Sequence, residues 1–148
     1  MSQFFEISNL SEIDGIILSN TTNKNRENLL DQQKNEEGGL SGEPLKDIST
    51  QIIKKFYAES KKKITIIGVG GINSGQSAFE KITSGAKAVQ LYTGMVYKGP
   101  SIVKEIKKDL ISILKKEGIK SIKEAVGIKA WPFINEDLYN YQKLKLYV

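Results

Sequence analysis

A chain of 148 residues with no histidine and no cysteine lacks the commonest general base, the commonest thiol nucleophile and the ligand set of most zinc sites. What it offers instead is hydroxyls, amides and bare glycine backbone, gathered in four short clusters. These are Ser19-Asn20-Thr21-Thr22, Gly38-Gly39-Leu40-Ser41-Gly42, Gly68 with Gly70 and Gly71, and Tyr92-Thr93-Gly94. Groups of this kind hold a ligand rather than attack it. Glycine lets backbone N–H groups approach an anion with no side chain in the way, and an asparagine amide donates and accepts at once.

Three of the four clusters follow short apolar runs. "GIILS" (Gly15 to Ser19), "ITIIGV" (Ile64 to Val69) and "AVQLY" (Ala88 to Tyr92) have the length and β-branched content of buried strands. A helix is expected after each. The first begins after Ser49 and buries Ile52, Ile53, Phe56 and Tyr57. The second spans about Ser74 to Ser84, buries Ala78, Phe79 and Ile82, and stops at Gly85. The third begins at Pro100, carries Ile102, Val103, Ile106, Leu110, Ile113 and Leu114 on one face, and ends at Gly118. A last short helix is signalled by Ser121 and Glu124 as a capping box, with Gly127 closing it.

Strand and helix in alternation define an α/β chain of parallel, right-handed βαβ units. Parallel strands place the three clusters at one end of one sheet. Three strands cannot close a barrel and leave Gly15 to Ser19 as an edge, so the chain reads as the end of something larger. The connection over 20–45 is far longer than the usual ~2–6 residues of a strand-to-helix loop. Its stretch from Asn23 to Glu37 reads as solvated and mobile, and Gly38 to Gly42 as backbone arranged for close approach.

Two mechanisms account for the glycines of the second strand end. The dinucleotide fingerprint requires a glycine where Asn73 stands, and no G-x-x-x-x-G-K loop is present, so both of those readings fail. The surviving functional reading is the phosphate site of a (β/α)8 barrel, built from the loops after its last two strands. Gly70 and Gly71 would then supply N–H groups, and Tyr92, Thr93 and Gly94 further donors. The alternative is that the glycines only permit tight turns.

Composition narrows the partners. The net charge of +5, from 22 Lys and Arg against 17 Asp and Glu, comes almost wholly from dispersed lysines, with Lys61 to Lys63 the densest run. Without arginine clusters or interleaved aromatics, this reads as a solvated surface and not a nucleic-acid face. No apolar stretch approaches the ~20 residues of a membrane span, and "MSQFFEISNLSE" has the character of neither a secretory nor a transit leader. Asn9-Leu10-Ser11 and Asn20-Thr21-Thr22 match the glycosylation pattern by chance in that context.

"DGIILSNTT", "GGLSGEPLKDISTQII", "IIGVGGINSGQSAFEKITSGA", "AVQLYTGMVYKGP" and "SIKEAVG" together resemble, in order and spacing, the C-terminal part of the class 2, quinone-dependent dihydroorotate dehydrogenases. The resemblance covers 14–127, leaving 1–13 and 128–148 unmatched. It implies about three βα units of an FMN-containing (β/α)8 TIM barrel. It also implies that Ser19, Gly42, Gly71, Tyr92 and Thr93 contact FMN, that Ser41 and Gly70 line the same site, and that Asn20 and Thr21 bind dihydroorotate or orotate. The family's quinone acceptor site and its inner mitochondrial membrane location belong to N-terminal helices with no counterpart in this sequence. The same holds for the catalytic serine base and a flavin-contacting lysine. Lys87 stands where the family has a small residue.

The expected function is therefore part of an enzyme that oxidises dihydroorotate to orotate in pyrimidine biosynthesis. No catalytic residue is expected in this chain, and the rest of the barrel is supplied elsewhere, a separate chain being one source. Two other readings compete. An inosine-phosphate dehydrogenase-like barrel would require a nucleophilic cysteine, and a truncated, inert chain would act only as an interaction partner or fold poorly.

Overall fold

The computed structural model describes residues 13–130, apart from Asn25, Asn28, Lys61 and Lys62. The N-terminal segment up to residue 12, the Asn9 glycosylation pattern, two lysines of the 61–63 run and the tail from 131 onward lie outside the described residues.

The three apolar runs form the strands β1 (Gly15–Leu18), β2 (Thr65–Val69) and β3 (Ala88–Gln90), paired in the order β1-β2-β3. Both pairings are parallel, with Gly15 opposite Thr65 and Leu18 opposite Gly68, then Ile67 opposite Ala88 and Val69 opposite Gln90. Each strand is shorter than its apolar run. Ser19 leaves the ladder at the end of β1, and Leu91 and Tyr92 leave it at the end of β3. The polar clusters thus begin where the sheet hydrogen bonding stops.

Among the described residues there are five α-helices: α1 (Lys46–Glu59), α2 (Gly75–Thr83), α3 (Thr93–Lys98), α4 (Ile102–Lys116) and α5 (Ile122–Ala125). α1 starts earlier than expected because a 3-10 turn over Glu43–Leu45, with Pro44 in its first positions, leads straight into it. Ser49, read as lying outside the helix, is buried within its first turn. α2 begins at Ser74, whose side chain accepts from the Ser77 N–H while the Ser77 hydroxyl accepts from the Ser74 N–H. α3 is an additional helix, folded directly from the Tyr92-Thr93-Gly94 cluster. At α5 the expected reciprocal box is absent: Glu124 accepts from the Ser121 hydroxyl and the Lys120 N–H instead.

The core follows the apolar spacing with two exceptions. Ile53, Phe56 and Tyr57 of α1 pack with Ile64, Ile66 and Ala86, while Ile52 is only half-buried. Ala78 of α2 packs with Ile102 and Ile106 of α4, and Phe79 and Ile82 with Ala125. Val103 is 40% exposed, because the buried stripe of α4 runs through Ile102 and Ile106. Among the described residues the outer edges of β1 and β3 have no strand beside them.

Gly68 has a packing reason of its own. A Cβ there would stand 3.0 Å from Ile53 Cδ1, 3.1 Å from Ala86 Cβ and 3.3 Å from Lys81 Cβ, so the empty position admits the stem of Lys81 beneath β2. Gly68→Val overfills this space and is expected to destabilise the chain by ~1–3 kcal/mol. Urea unfolding checks this; a midpoint unchanged from wild type would show that the space is not filled as described.

Candidate functional site

The C-terminal ends of the three strands and the 20–45 connection open onto one cleft of about 740 Å³. In parallel α/β sheets this is the end at which ligands bind, since the loops there are free to vary while the sheet holds their roots. All nine residues singled out from the sequence line it: Ser19, Asn20 and Thr21 after β1, Ser41 and Gly42 in the connection, Gly70 and Gly71 after β2, and Tyr92 and Thr93 after β3.

The first wall is held by local polar bonds. Asn20 Oδ1 accepts from the Thr21 N–H at 2.8 Å, which turns the chain out of β1. Thr22 and Leu40 exchange backbone hydrogen bonds of 3.1 and 2.7 Å, bringing the glycine-rich segment back beside the β1 end. The intervening stretch is solvated, as expected, but it is also tied. The Arg26 guanidinium donates to the carbonyls of Lys34 at 3.2 Å, Glu36 at 2.5 Å and Gly38, so the protein's one arginine closes the excursion as a clamp.

The second wall joins connection to strand ends. Thr93 Oγ1 donates to Ser41 Oγ at 2.9 Å, and the Asn73 amide donates to the Glu43 carboxylate. Lys98 Nζ donates to the Asn73 carbonyl at 2.9 Å. The exposed Glu43–Lys46 pair at 3.7 Å contributes little by itself. Tyr92 and Tyr97 stand open, at 78% and 84% exposure.

Gly70 and Gly71 form the floor. Both have positive φ, at 102° and 69°. A Cβ on Gly71 would lie 2.5 Å from Lys46 Cα and 2.6 Å from its N, and one on Gly70 would lie 3.0 Å from Ser49 Oγ. Glycine is therefore demanded here by backbone conformation and by contact with the first turn of α1. Close packing of the turn thus accounts for both glycines, as the tight-turn reading requires, and it leaves their N–H groups available to an anion. Among the described residues no backbone carbonyl accepts from the N–H groups of Gly71, Ile72, Thr93 or Gly94, which leaves a set of donors at adjacent strand ends.

Beneath this floor lies a group the sequence reading missed. Lys81 is fully buried, and its Nζ donates to the Lys46 carbonyl at 2.6 Å and to Ser49 Oγ and Thr50 Oγ1 at 2.5 Å each. Burial lowers its pKa from 10.5 to about 8, opposed by the Glu80 and Asp47 carboxylates. The signal was available: a lysine on the helix face that carries Ala78 and Ile82, opposite a strand glycine.

The comparisons with known proteins bear on this arrangement. The sequence model of the dihydroorotate dehydrogenase family matches residues 1–114. The chain belongs to the dihydroorotate dehydrogenase family. It is 47% identical over 116 residues to the mouse protein named dihydroorotate dehydrogenase (quinone), mitochondrial, covering 78% of this chain and 29% of that one. It is 48% identical over 116 residues to the dihydroorotate dehydrogenase (quinone) of Natronomonas pharaonis, covering 78% and 33%. Among solved structures, the Eimeria tenella enzyme superposes with a TM-score of 0.80 in its ligand-free form, at 38% identity, covering 84% of this chain and 34% of that one. The same enzyme in complex with ferulenol superposes with a TM-score of 0.82, at 38% identity, covering 86% and 34%.

The chain thus resembles the quinone-dependent class, as the sequence motifs imply, and its parallel strands are part of a (β/α)8 barrel. It spans about a third of the length of the relatives it matches. A flavin cofactor goes with the family. The mitochondrial name belongs to relatives from mouse and Arabidopsis thaliana and is absent from that of the Natronomonas protein.

Because folding lowers the Lys81 pKa, the unfolded chain binds that proton more tightly than the folded one. Stability attributable to this group therefore rises with pH from about 8 toward the ordinary value of 10.5. Denaturant unfolding at pH 7 and pH 10 should show wild type gaining on Lys81→Met by up to ~3 kcal/mol across that window. Parallel pH profiles for the two proteins would contradict it.

Proposed function

We propose that this chain supplies the C-terminal part of the FMN and orotate site of a quinone-dependent dihydroorotate dehydrogenase. The observation that carries the reading is the convergence of four separate polar and glycine clusters on one cleft at the C-terminal ends of parallel strands. In this reading the uncommitted N–H groups of the Gly70–Gly71 and Thr93–Gly94 loops hold the FMN phosphate. Ser19, Ser41, Gly42 and Tyr92 line the remainder of the flavin site, and Asn20 and Thr21 grip the pyrimidine and carboxylate of dihydroorotate or orotate.

The residues present fit a phosphorylated flavin. Glycine backbone with free N–H groups and flanking hydroxyls is a donor set suited to a phosphate, and the carboxylate that lines the cleft, Glu43, is engaged by the Asn73 amide and paired with the Lys46 ammonium. When bound, the flavin supplies the redox chemistry by accepting a hydride from the substrate. The protein's part is orientation: Asn20 presents both a donor and an acceptor, and its amide is held by the Thr21 N–H.

No His or Cys of this chain serves as base, and the serine implied by the family pattern is contributed by other parts of the barrel. The edges of β1 and β3 are where further strands of that barrel pair, whether from this polypeptide or another. The acceptor is a quinone, and the proposed location is the inner mitochondrial membrane. No helix among the described residues is long and apolar enough to cross a membrane.

Fluorescence titration of the purified chain with FMN and with riboflavin tests the phosphate assignment. FMN should bind at least ~10-fold more tightly, a difference of ~1.4 kcal/mol that only the phosphate can supply; equal affinities would refute it. In a flavin-loaded assay with dihydroorotate and a quinone, these 148 residues alone should produce no orotate by ultraviolet absorbance. Turnover that disappears in Asn20→Ala would overturn that expectation and place a catalytic base within this chain.

A further inference from the structure

Among the described residues, Lys81 is the one charged side chain that is fully buried. An ammonium out of water is costly unless each of its donors is satisfied, and a surface-facing helix position would have taken a lysine at no such cost. Here the acceptors all come from one turn of another helix: the Lys46 carbonyl, Ser49 Oγ and Thr50 Oγ1.

That turn is the one on which the glycine loop rests. Ser49 Oγ donates onward to the Gly70 carbonyl at 3.1 Å, while the backbone of Lys46 fills the space where a Gly71 side chain would be. Thr50 Oγ1 also donates to the Lys46 carbonyl at 2.6 Å, so the acceptors of Lys81 are themselves cross-tied. A rigid path therefore runs from Lys81 Nζ through Ser49 to the peptide between Gly70 and Gly71. In a planar trans peptide the C=O and N–H point in opposite directions, so fixing the direction of the carbonyl fixes that of the N–H. The carbonyl of Gly70 bonded inward toward Ser49 thus turns the Gly71 N–H away from α1.

We infer that Lys81 is a positioning residue for the cleft: by anchoring the first turn of α1 it fixes the orientation of the Gly70–Gly71 peptide, and with it the aim of the N–H groups offered to a phosphate. The first half of this statement concerns the chain's own geometry; the second rests on the FMN reading above. Nothing in the role requires Lys81 to touch a ligand.

The test uses the full 148-residue chain with Lys81→Met, which keeps the stem and removes the donors, and Ser49→Ala, which cuts the link to Gly70. Backbone 15N order parameters are read at Gly70, Gly71 and Ile72 and at a core reference in α4. In both variants they should fall from about 0.85 to below about 0.6 across 70–72, with the α4 reference unchanged, and FMN should bind ~10-fold more weakly while riboflavin affinity stays put.

Unchanged order parameters at the loop in the folded variants overturn the inference, whatever flavin binding does. A loop that loosens in a protein whose wild type binds FMN and riboflavin equally upholds the role of Lys81 and refutes the phosphate reading instead. If Lys81→Met does not fold, Ser49→Ala decides alone, by the same two sets of amides.

Discussion

The backbone of Gly70 and Gly71 lies so close to the first turn of α1 that neither residue has room for a side chain, and the site depends on that contact. β2 is the central strand, hydrogen-bonded to both neighbours, so its end is the fixed point from which the other strand ends are measured. α1 packs on the sheet through Ile53, Phe56 and Tyr57. The loop after β2 is therefore trapped between a buried strand and a helix that cannot retreat without opening the core. This is a stiffer mounting than the loop's own three residues could provide, and it explains how glycine, the most permissive residue, comes to stand in one conformation.

From this fixed point the rest of the cleft is assembled by short polar links. Asn73, just beyond the glycines, donates to Glu43, which draws in the turn that starts α1. Thr93 reaches across to Ser41, which ties the third strand end to the connection after the first. The Thr22–Leu40 pairing and the Arg26 clamp then fold the long excursion back on itself, so that its glycine-rich end arrives beside β1. Each link is exposed or half-exposed and individually weak. Their common effect is to make four segments, distant in sequence, share one concave surface without burying a single ion pair among them.

How much of this was legible in the sequence follows from which forces are local. The strands, their parallel order and the buried faces of α1, α2 and α4 were readable because apolar spacing is imposed by the element's own geometry. Seven of the nine cleft residues were readable because parallel strands deliver their C-terminal ends to the same side, and Ser41 and Gly42 because three glycines in five residues mark backbone arranged for close approach. The early start of α1 was not, since Ser49 has the type of a helix cap and its actual partners, Gly70 and Lys81, lie far along the chain. Val103 was misplaced because α4 meets α2 along a narrow stripe through Ile102 and Ile106, a fact of docking that periodicity does not carry. The Arg26 clamp was invisible because its three acceptors are backbone carbonyls, which have no residue type to read.

The same distinction separates residues that hold from residues that are held. Apart from the open Tyr92, the side chains singled out from the sequence for the cleft, those of Ser19, Asn20, Thr21, Ser41 and Thr93, are small and polar, and the backbone that carries them is held by contacts the sequence reading passed over. Lys81 is the deepest of these supports. A buried lysine whose pKa falls to about 8 retains its proton at neutral pH, with three oxygen acceptors around it and the carboxylates of Glu80 and Asp47 offsetting part of the desolvation. A methionine, which matches the lysine stem in length and lacks the ammonium, would pack in the same channel under Gly68 without that cost. The choice of lysine is accounted for once its acceptors are recognised as the seat of the glycine loop: stability is given up locally so that the Gly70–Gly71 peptide at the floor of the cleft has a single orientation.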